Sequence, residues 1–229
     1  MLMANLYTQP STPANSLWQE DFWILVVQLY LQKPMGVKPM YGRSTVALSL
    51  ELHIPPHFIH ERMTELRDTR RQHLLKMMKR YAADRRRLDA DAKVVRLLSG
   101  FFNPGEFYDG VQLNETFEAD FRPIPRCPDL IPLALILVLD LYFRLTPITM
   151  VASTPEVKEL ARLIGTAPQR VVEVMDVYRI IDPYLNRNEE FTVSPLLSPC
   201  QKVWNRYGND DVEQLAALAA ELKQYYEVQ

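Results

Sequence analysis

Apolar residues recur at helical spacing through most of the chain, and segments rich in proline and glycine separate the helical runs. Residues 22–30 and 59–66 place their apolar positions on one face of a helix. Residues 69–102 carry the same spacing over one or two longer helices. Proline and glycine mark residues 32–42 as a loop and residues 103–128 as a linker. This pattern predicts an all-α chain, or a mostly α chain with short strands.

The second half of the chain repeats the first at a shift of 112 residues. Between residues 24 and 67 the copies align without a gap and share 10 of 44 positions. The identical pairs include Leu29/Leu141, Leu48/Leu160, Pro56/Pro168 and Met63/Met175. A weaker similarity pairs Phe101-Phe102 with Tyr225-Tyr226, and it requires an insertion of about 12 residues in the second copy, near 186–199. The repeat predicts a tandem duplication of two helical units in a pseudo-twofold arrangement.

We expect four regions along the chain. They are a flexible N-terminal tail (1–15), a basic helical unit (16–102), the proline-rich linker (103–128) and an acidic helical unit (129–229). Side-chain caps are predicted where Ser, Thr or Asp precedes a helical run. The predicted N-cap residues are Ser16, Ser44, Thr154 and Asp210. Gly165 is expected to supply the left-handed residue that ends a helix.

Two equivalent segments, LSLELHIPPHFI (48–59) and LARLIGTAPQRV (160–171), resemble helix-turn-helix units. The second is the better match, because small Ala161 and Gly165 stand where such a turn needs them, whereas the first has His53 at the glycine position. The resemblance is to the helix-turn-helix, winged-helix-like superfamily in tandem copies, and it covers under half of the chain. It implies that each unit contains a three-helix arrangement whose third helix enters the major groove of DNA.

The side chains that these third helices would present to DNA are not typical of base readers. With about 3.6 residues per turn, an inward face at Ile59, Met63 and Leu66 turns four neighbouring side chains outward. The outward sets are His57, Glu61, Thr64 and Asp68, and in the second copy Gln169, Glu173, Asp176 and Ile180. Carboxylates facing phosphates are repelled, although Glu can accept a hydrogen bond from cytosine. This favours packing or protein partners for these helices over groove reading.

Charge is unevenly distributed, although the formal net charge of the chain is only −2. Residues 33–96 contain 15 Lys and Arg against 7 Asp and Glu. Such a segment can neutralise phosphates without reading sequence, and a solvated helix face is an equally good interpretation. The expected nucleic-acid-binding residues are Arg70, Arg71, Lys76, Lys79, Arg80, Arg85, Arg86 and Arg87, with Gln169 and Arg170 from the second copy's third helix.

Motifs for catalysis and cofactor binding are scarce. The seven glycines form no phosphate-binding loop, and no nucleophile elbow or cysteine–histidine motif stands out. His53, His57 and His60 have a spacing that can hold zinc, but ordinary turn and surface histidines fit them better. Cys127 and Cys200 are expected as buried free thiols. We therefore expect no metal, no cofactor and no enzyme activity.

The expected function is that of a nucleic-acid-associated protein, such as a transcriptional regulator, with double-stranded DNA or another polyanion as its partner. A protein-interaction or scaffold module that reuses the helix-turn-helix shape is the alternative, and an enzyme of unknown class is the third interpretation. The N-terminal residues lack the pattern of a signal peptide, and the apolar residues 130–139 are too few to cross a bilayer. A cytoplasmic location and no membrane partner are therefore expected.

Overall fold

The computed structural model describes residues 18–98, 117–185, 194–209 and 211–227. These residues form ten α-helices and no β-strand, which confirms the all-α prediction for the part of the chain that is described. The chain divides into two compact units between Phe117 and Glu118, a position inside the predicted linker.

The first unit is built around its first helix. The described residues contain α1 Phe22–Leu31, α2 Arg43–Leu52, α3 Pro56–Asp68, α4 Gln72–Ala83 and α5 Arg85–Leu98. Helix α1 (FWILVVQLYL) is apolar on nearly every side, and such a helix has to be covered all round. The other four helices each pack on it. Seven of its ten side chains are buried, so α1 is the centre of the hydrophobic core.

The second unit is also built around its first helix. Its helices are α6 Pro132–Arg144, α7 Pro155–Ile164, α8 Pro168–Ile181, α9 Leu197–Tyr207 and α10 Val212–Leu222. Every side chain of α6 from Leu133 to Tyr142 is buried, and α7, α8, α9 and α10 pack on this helix. Short 3-10 turns occur at Phe117–Phe121, Pro147–Thr149 and Lys223–Tyr225.

The turn between the second and third helices has the same geometry in both units. Helices α2 and α7 begin and end at positions 112 residues apart. His53 (φ 57°) and Gly165 (φ 74°), also 112 apart, both adopt the left-handed conformation that ends the helix. A proline then occupies the first turn of α3 and of α8. The prediction that Gly165 ends a helix is confirmed.

Backbone hydrogen bonds close the two turns in the same way. Ile54 N donates to Ser49 O at 3.1 Å in the first unit, and Thr166 N donates to Ala161 O at 2.9 Å in the second. These bonds span five residues, as in the Schellman motif. Ser49 and Ala161 are both small and buried, so the third helix can pack closely against the second at this point.

Buried positions correspond along all five helices. At the shift of 112 the fully or nearly buried pairs include Leu48/Leu160, Ile59/Val171 and Met63/Met175. In the last two helices the corresponding pairs are Tyr81/Tyr207, Leu88/Leu215 and Ala92/Ala219, at shifts of 126 and 127. Most of this increase comes from the connections, because three residues connect α3 to α4, whereas 15 connect α8 to α9. The predicted similarity at Phe101-Phe102 lies outside the described residues.

Two of the predicted helix caps are wrong. Helix α2 begins at Arg43, one residue before Ser44, and Gly42 takes the N-cap position without a side-chain bond. The reason is a tight turn, in which Gly42 N donates to Pro39 O at 3.1 Å and sets the start of the helix. Helix α10 begins at Val212, so Asp211 rather than Asp210 is its cap, accepting from Glu213 N at 2.9 Å.

Thr154 occupies its predicted N-cap position before Pro155, but its side chain does not cap the helix. The hydroxyl instead donates to Thr149 O at 2.6 Å and holds the preceding loop. The predicted cap Ser16 lies outside the described residues, as does Asp210 itself, whose predicted place Asp211 takes. Helix positions could therefore be predicted from spacing more accurately than the bonds of individual capping side chains.

The second half of the predicted linker belongs to the second unit. Phe121, Ile124 and Cys127 are buried, and the Phe121 ring lies 5.4 Å from that of Tyr225. Asp120 accepts two bonds from the Arg206 guanidinium, at 2.7 and 2.8 Å. An ion pair of this bidentate form fixes both distance and orientation. Residues 118–128 are thus part of the fold of this unit rather than a spacer.

We expect Met175→Ala to lower the free energy of unfolding by about 2–5 kcal/mol, because the side chain is fully buried and its truncation leaves a cavity. Met63→Ala should have a similar effect in the first unit. Urea denaturation followed by circular dichroism measures both changes. Glu159→Ala, on the exposed side of α7, is the control and should change stability by at most about 0.5 kcal/mol. An unchanged midpoint for Met175→Ala would contradict its place in the core.

We expect Gly165→Ala to destabilise the protein by about 1–2 kcal/mol, because an L side chain is strained at φ 74°. No atom lies within 4 Å of the added Cβ, so the backbone conformation alone accounts for the effect. Gly165→Asn should cost less, since asparagine adopts the left-handed region more readily. Thermal denaturation of the three proteins ranks them, and equal stability of the alanine variant and the parent would contradict this turn geometry.

Candidate nucleic-acid interface

Helices α4 and α5 form the most basic part of the described chain, which we call the basic hairpin (residues 70–96). Only Asp84 separates the two helices, and its carboxylate accepts a hydrogen bond from Arg87 N at 3.0 Å. This bond satisfies an otherwise free N–H at the start of α5. Asp84 therefore fixes the corner at which the chain changes direction.

The cations of α4 lie opposite its buried stripe. Leu74 and Tyr81 are buried, and at about 100° per residue the face opposite them carries Lys76, Lys79 and Arg80. All three of these side chains are exposed. The predicted set on this helix is therefore presented on one surface toward solvent.

The three consecutive arginines at the start of α5 do not share one environment. Arg86 is exposed on the outer face, opposite buried Leu88 and Ala92. Arg85 extends toward the loop between α1 and α2, where its Nη2 lies 3.4 Å from Met35 Sδ. Arg87 forms an ion pair with Asp91 at 3.7 Å. The structure thus separates the predicted cluster into one outward cation and two that contact other groups.

The carboxylates of the basic hairpin bond to neighbouring groups instead of to its outward cations. Asp89 accepts from Gln28 Nε2 of α1 at 2.8 Å. Asp91 accepts from the Tyr81 hydroxyl at 2.8 Å as well as pairing with Arg87. Burial, together with this bond, raises the pKa of Tyr81 to about 12. Asp84 caps α5, so all three acids of the hairpin have partners.

Among the described residues, several basic side chains of the hairpin have no ion pair. They are Arg70, Lys76, Lys79, Arg80, Arg86 and Lys93, and all six are exposed. Arg71 instead pairs with Glu65 at 3.0 Å, and Arg96 pairs with Glu51 of α2. The hairpin therefore presents a group of cations whose charge no neighbouring carboxylate neutralises.

The third helices of the two units carry paired charges on their surfaces. In α3, Asp68 is paired with Arg67 at 2.7 Å, and Glu61 is exposed. In α8, Glu173 pairs with Arg170 at 2.7 Å and Asp176 pairs with Arg179 at 3.3 Å. The predicted outward position of these carboxylates agrees with the structure. Their pairing leaves little excess positive charge on either helix.

Arg170, one of the two predicted site residues in the second unit, holds a neighbouring segment in place. Its Nε and Nη2 donate to the Asp129 carboxylate at 2.9 and 3.2 Å, and its Nη1 donates to Glu173 at 2.7 Å. The bonds to Asp129 and then to Glu173 raise the pKa of the guanidinium. Gln169, the other predicted residue, is exposed. A phosphate at Arg170 would have to compete with two carboxylates already in contact.

The histidine cluster does not form a metal site in the described residues. No group of three or more His, Cys, Asp or Glu side chains within them could hold a metal ion. His60 Nδ1 instead forms a hydrogen bond with Lys38 O at 2.9 Å. His53 is the left-handed residue that ends α2. Two of the three histidines, His53 and His60, thus contribute to the fold of the first unit.

A groove of about 450 Å³ lies in the second unit. Its apolar wall consists of Leu137, Leu141, Leu160 and Leu163. Its charged lining consists of Arg144, Arg162, Lys223, Glu156, Glu159 and Glu227. Because cations and carboxylates are equal in number, the groove favours neither an anionic nor a cationic ligand.

The two cysteines are free and buried, as predicted. Burial raises the pKa of the Cys200 thiol to about 12, so the nucleophilic thiolate is nearly absent at neutral pH.

We expect neither cysteine to react with a chromogenic disulfide reagent in the native protein at pH 8, and both to react in denaturing urea. Rapid labelling of either thiol under native conditions would contradict its burial.

In the part of the chain that the structure describes, no helix is long and apolar enough to cross a membrane. Comparisons with protein-family models, with curated proteins and with solved structures find no match to this chain.

Proposed function

We propose that this chain is a nucleic-acid-associated protein, such as a transcriptional regulator, that binds the phosphates of a DNA duplex through the basic hairpin. One observation carries the proposal: six exposed cations have no ion pair among the described residues, whereas the acids of the same hairpin bond to other groups. Cations that no carboxylate neutralises are those that release counterions from DNA on binding. Two buried free thiols fit a reducing compartment such as the cytoplasm.

We infer further that the two units arose by tandem duplication of a helix-turn-helix unit. The inference is supported by the shared bounds of α2 and α7, by the left-handed residues His53 and Gly165, and by the equivalent turn hydrogen bonds. In this proposal the duplicated units supply the scaffold, and α4 and α5 supply the phosphate contacts. The paired carboxylates on α3 and α8 make groove reading by these helices the weaker model.

Binding of this kind is insensitive to base sequence. Phosphate contacts orient a protein on DNA, but they do not distinguish base pairs. Each contact contributes about 0.9 to the slope of log affinity against log salt concentration. Contacts by Lys76, Lys79 and Arg80 together would therefore account for up to about 3 units of that slope.

A protein-interaction module is the second candidate, because α5 also exposes aliphatic side chains. Val94, Leu97 and Leu98 are exposed at its C-terminal end, spaced so that they share one side of the helix. Exposed apolar residues that cluster often mark a protein contact. If the chain is a scaffold, duplex DNA will bind weakly or not at all at low salt.

We expect Lys76→Gln, Lys79→Gln and Arg80→Gln in combination to weaken binding to every duplex sequence and to flatten the salt slope by up to about 3 units. Fluorescence anisotropy of labelled duplexes, at salt concentrations from about 50 to 200 mM, measures both quantities. The matched control is Lys158→Gln, Arg162→Gln and Lys223→Gln, which removes three charges from the second unit. This control variant should retain most of the parent's slope of log affinity against log salt concentration.

Two further variants separate the proposal from the other models. Arg85→Gln, Arg86→Gln and Arg87→Gln should have a smaller effect than the α4 variant, because Arg87 is already paired with Asp91. Gln169→Ala tests base reading by α8, since this exposed residue carries no charge. Loss of sequence discrimination in Gln169→Ala, with normal binding by the α4 variant, would overturn the assignment to the basic hairpin. A parent protein that binds no duplex at low salt would overturn the proposed function.

A further inference from the structure

The loop between α1 and α2 (residues 32–42) is built around a buried lysine. The Lys38 side chain is only 4% exposed, and its ammonium donates to the backbone oxygens of Gln32, at 2.8 Å, and of Pro34. The carbonyl oxygen of Lys38 forms the hydrogen bond to His60 of α3. A buried charge is costly unless it is hydrogen-bonded. These bonds therefore hold one definite conformation of the loop.

Further bonds fix the loop at its tip and at its end. Gly36 N donates to Tyr30 O at 2.9 Å, with Gly36 at φ 132°, a conformation that L side chains rarely adopt. Thr45 Oγ1 donates to Pro39 O at 2.9 Å and ties the end of the loop to α2. The loop is therefore attached by hydrogen bonds to α1, α2 and α3.

One large apolar side chain projects from this fixed tip. Met35 is 64% exposed, and its sulfur is the atom that Arg85 of the basic hairpin contacts. The contact places an exposed thioether directly beside the first turn of α5. Outward Arg86 belongs to that same turn. An apolar tip on a rigid loop thus adjoins a cationic surface.

We propose that Met35 is a wedge that inserts between base pairs of the duplex held by the basic hairpin, so that the protein bends the DNA it binds. The inference rests on the proposed function. Minor-groove proteins that bend DNA use the same combination, in which an apolar side chain such as methionine unstacks a base step while flanking cations hold the phosphates. Arg85, in contact with the methionine, is the cation placed to accompany it.

A single exposed side chain suits a base step better than a lipid bilayer. Binding of a protein to a membrane surface grows with the apolar area that it buries, and one methionine contributes little. The exposed aliphatic residues Val94, Leu97 and Leu98 begin nine residues along α5 from Arg85, about 14 Å away along the helix axis. They therefore do not enlarge the apolar tip at Met35.

The second unit provides a matched control. Its loop between α6 and α7 carries Ile148, which is 89% exposed. That loop is also held by hydrogen bonds, since Thr146 N donates to Thr149 Oγ1 at 3.0 Å and Thr154 Oγ1 donates to Thr149 O at 2.6 Å. Ile148→Ala therefore removes an even more exposed apolar side chain from a comparable loop outside the basic hairpin.

The test measures bending and affinity on the same duplex. Energy transfer between dyes at the two ends of a duplex of about 24 base pairs reports bending, and anisotropy reports affinity and its salt slope. We expect the parent protein to shorten the distance between the ends. Met35→Ala should abolish this shortening and weaken binding by about tenfold, with the slope unchanged because no charge is lost. Met35→Leu should retain bending, and Ile148→Ala should behave as the parent.

Each outcome decides between the wedge and its alternatives. A parent protein that binds no duplex overturns the proposed function and the wedge together. Binding without bending, or bending that persists in Met35→Ala, overturns the wedge and leaves the phosphate-binding proposal intact. Binding to anionic phosphatidylglycerol vesicles that Met35→Ala abolishes, with DNA binding unchanged, would assign Met35 to a membrane contact instead. Thermal denaturation of Met35→Ala should match the parent, because the side chain is exposed.

Discussion

Each unit depends on the burial of one apolar helix. Helices α1 and α6 have hydrophobic residues on nearly every side, so no single partner helix can cover them. Four amphipathic helices surround each of them, and this requirement fixes which face of every surrounding helix points inward. In α5, burial of Leu88, Ala92 and Val95 against the core leaves Arg86 and Lys93 in solvent. The basic surface is thus a consequence of core packing.

Local signals made much of the fold predictable. The shared helical spacing, the prolines at Pro56 and Pro168 and the turn at Gly165 act within a few residues, so they give the order and approximate bounds of α2, α3, α7 and α8. The capping residues were not predictable in the same way. Gly42 takes the N-cap position because of a turn with Pro39, and Asp211 caps α10 because the helix begins one residue later than its sequence indicates.

The candidate site was predictable in its location but not in its details. Composition alone marks residues 33–96 as basic, and that segment contains the hairpin. Which cations have no ion pair depends on contacts between distant residues, such as Gln28 with Asp89 and Arg96 with Glu51. Arg170 was predicted to contact DNA, yet the carboxylate of Asp129, 41 residues away, accepts two of its hydrogen bonds. Sequence spacing carries no information on such pairs.

The central position of α6 also constrains how the protein is made. A ribosome synthesises α6 first among the helices of its unit, and 80 residues separate its start from the start of α10, which packs on it. At about 5–20 residues per second, this apolar helix waits roughly 4–16 s before its last covering helix exists. The nascent unit cannot complete the burial of its core during that interval. Its exposed leucines are then the surface that a chaperone would bind or that would drive aggregation.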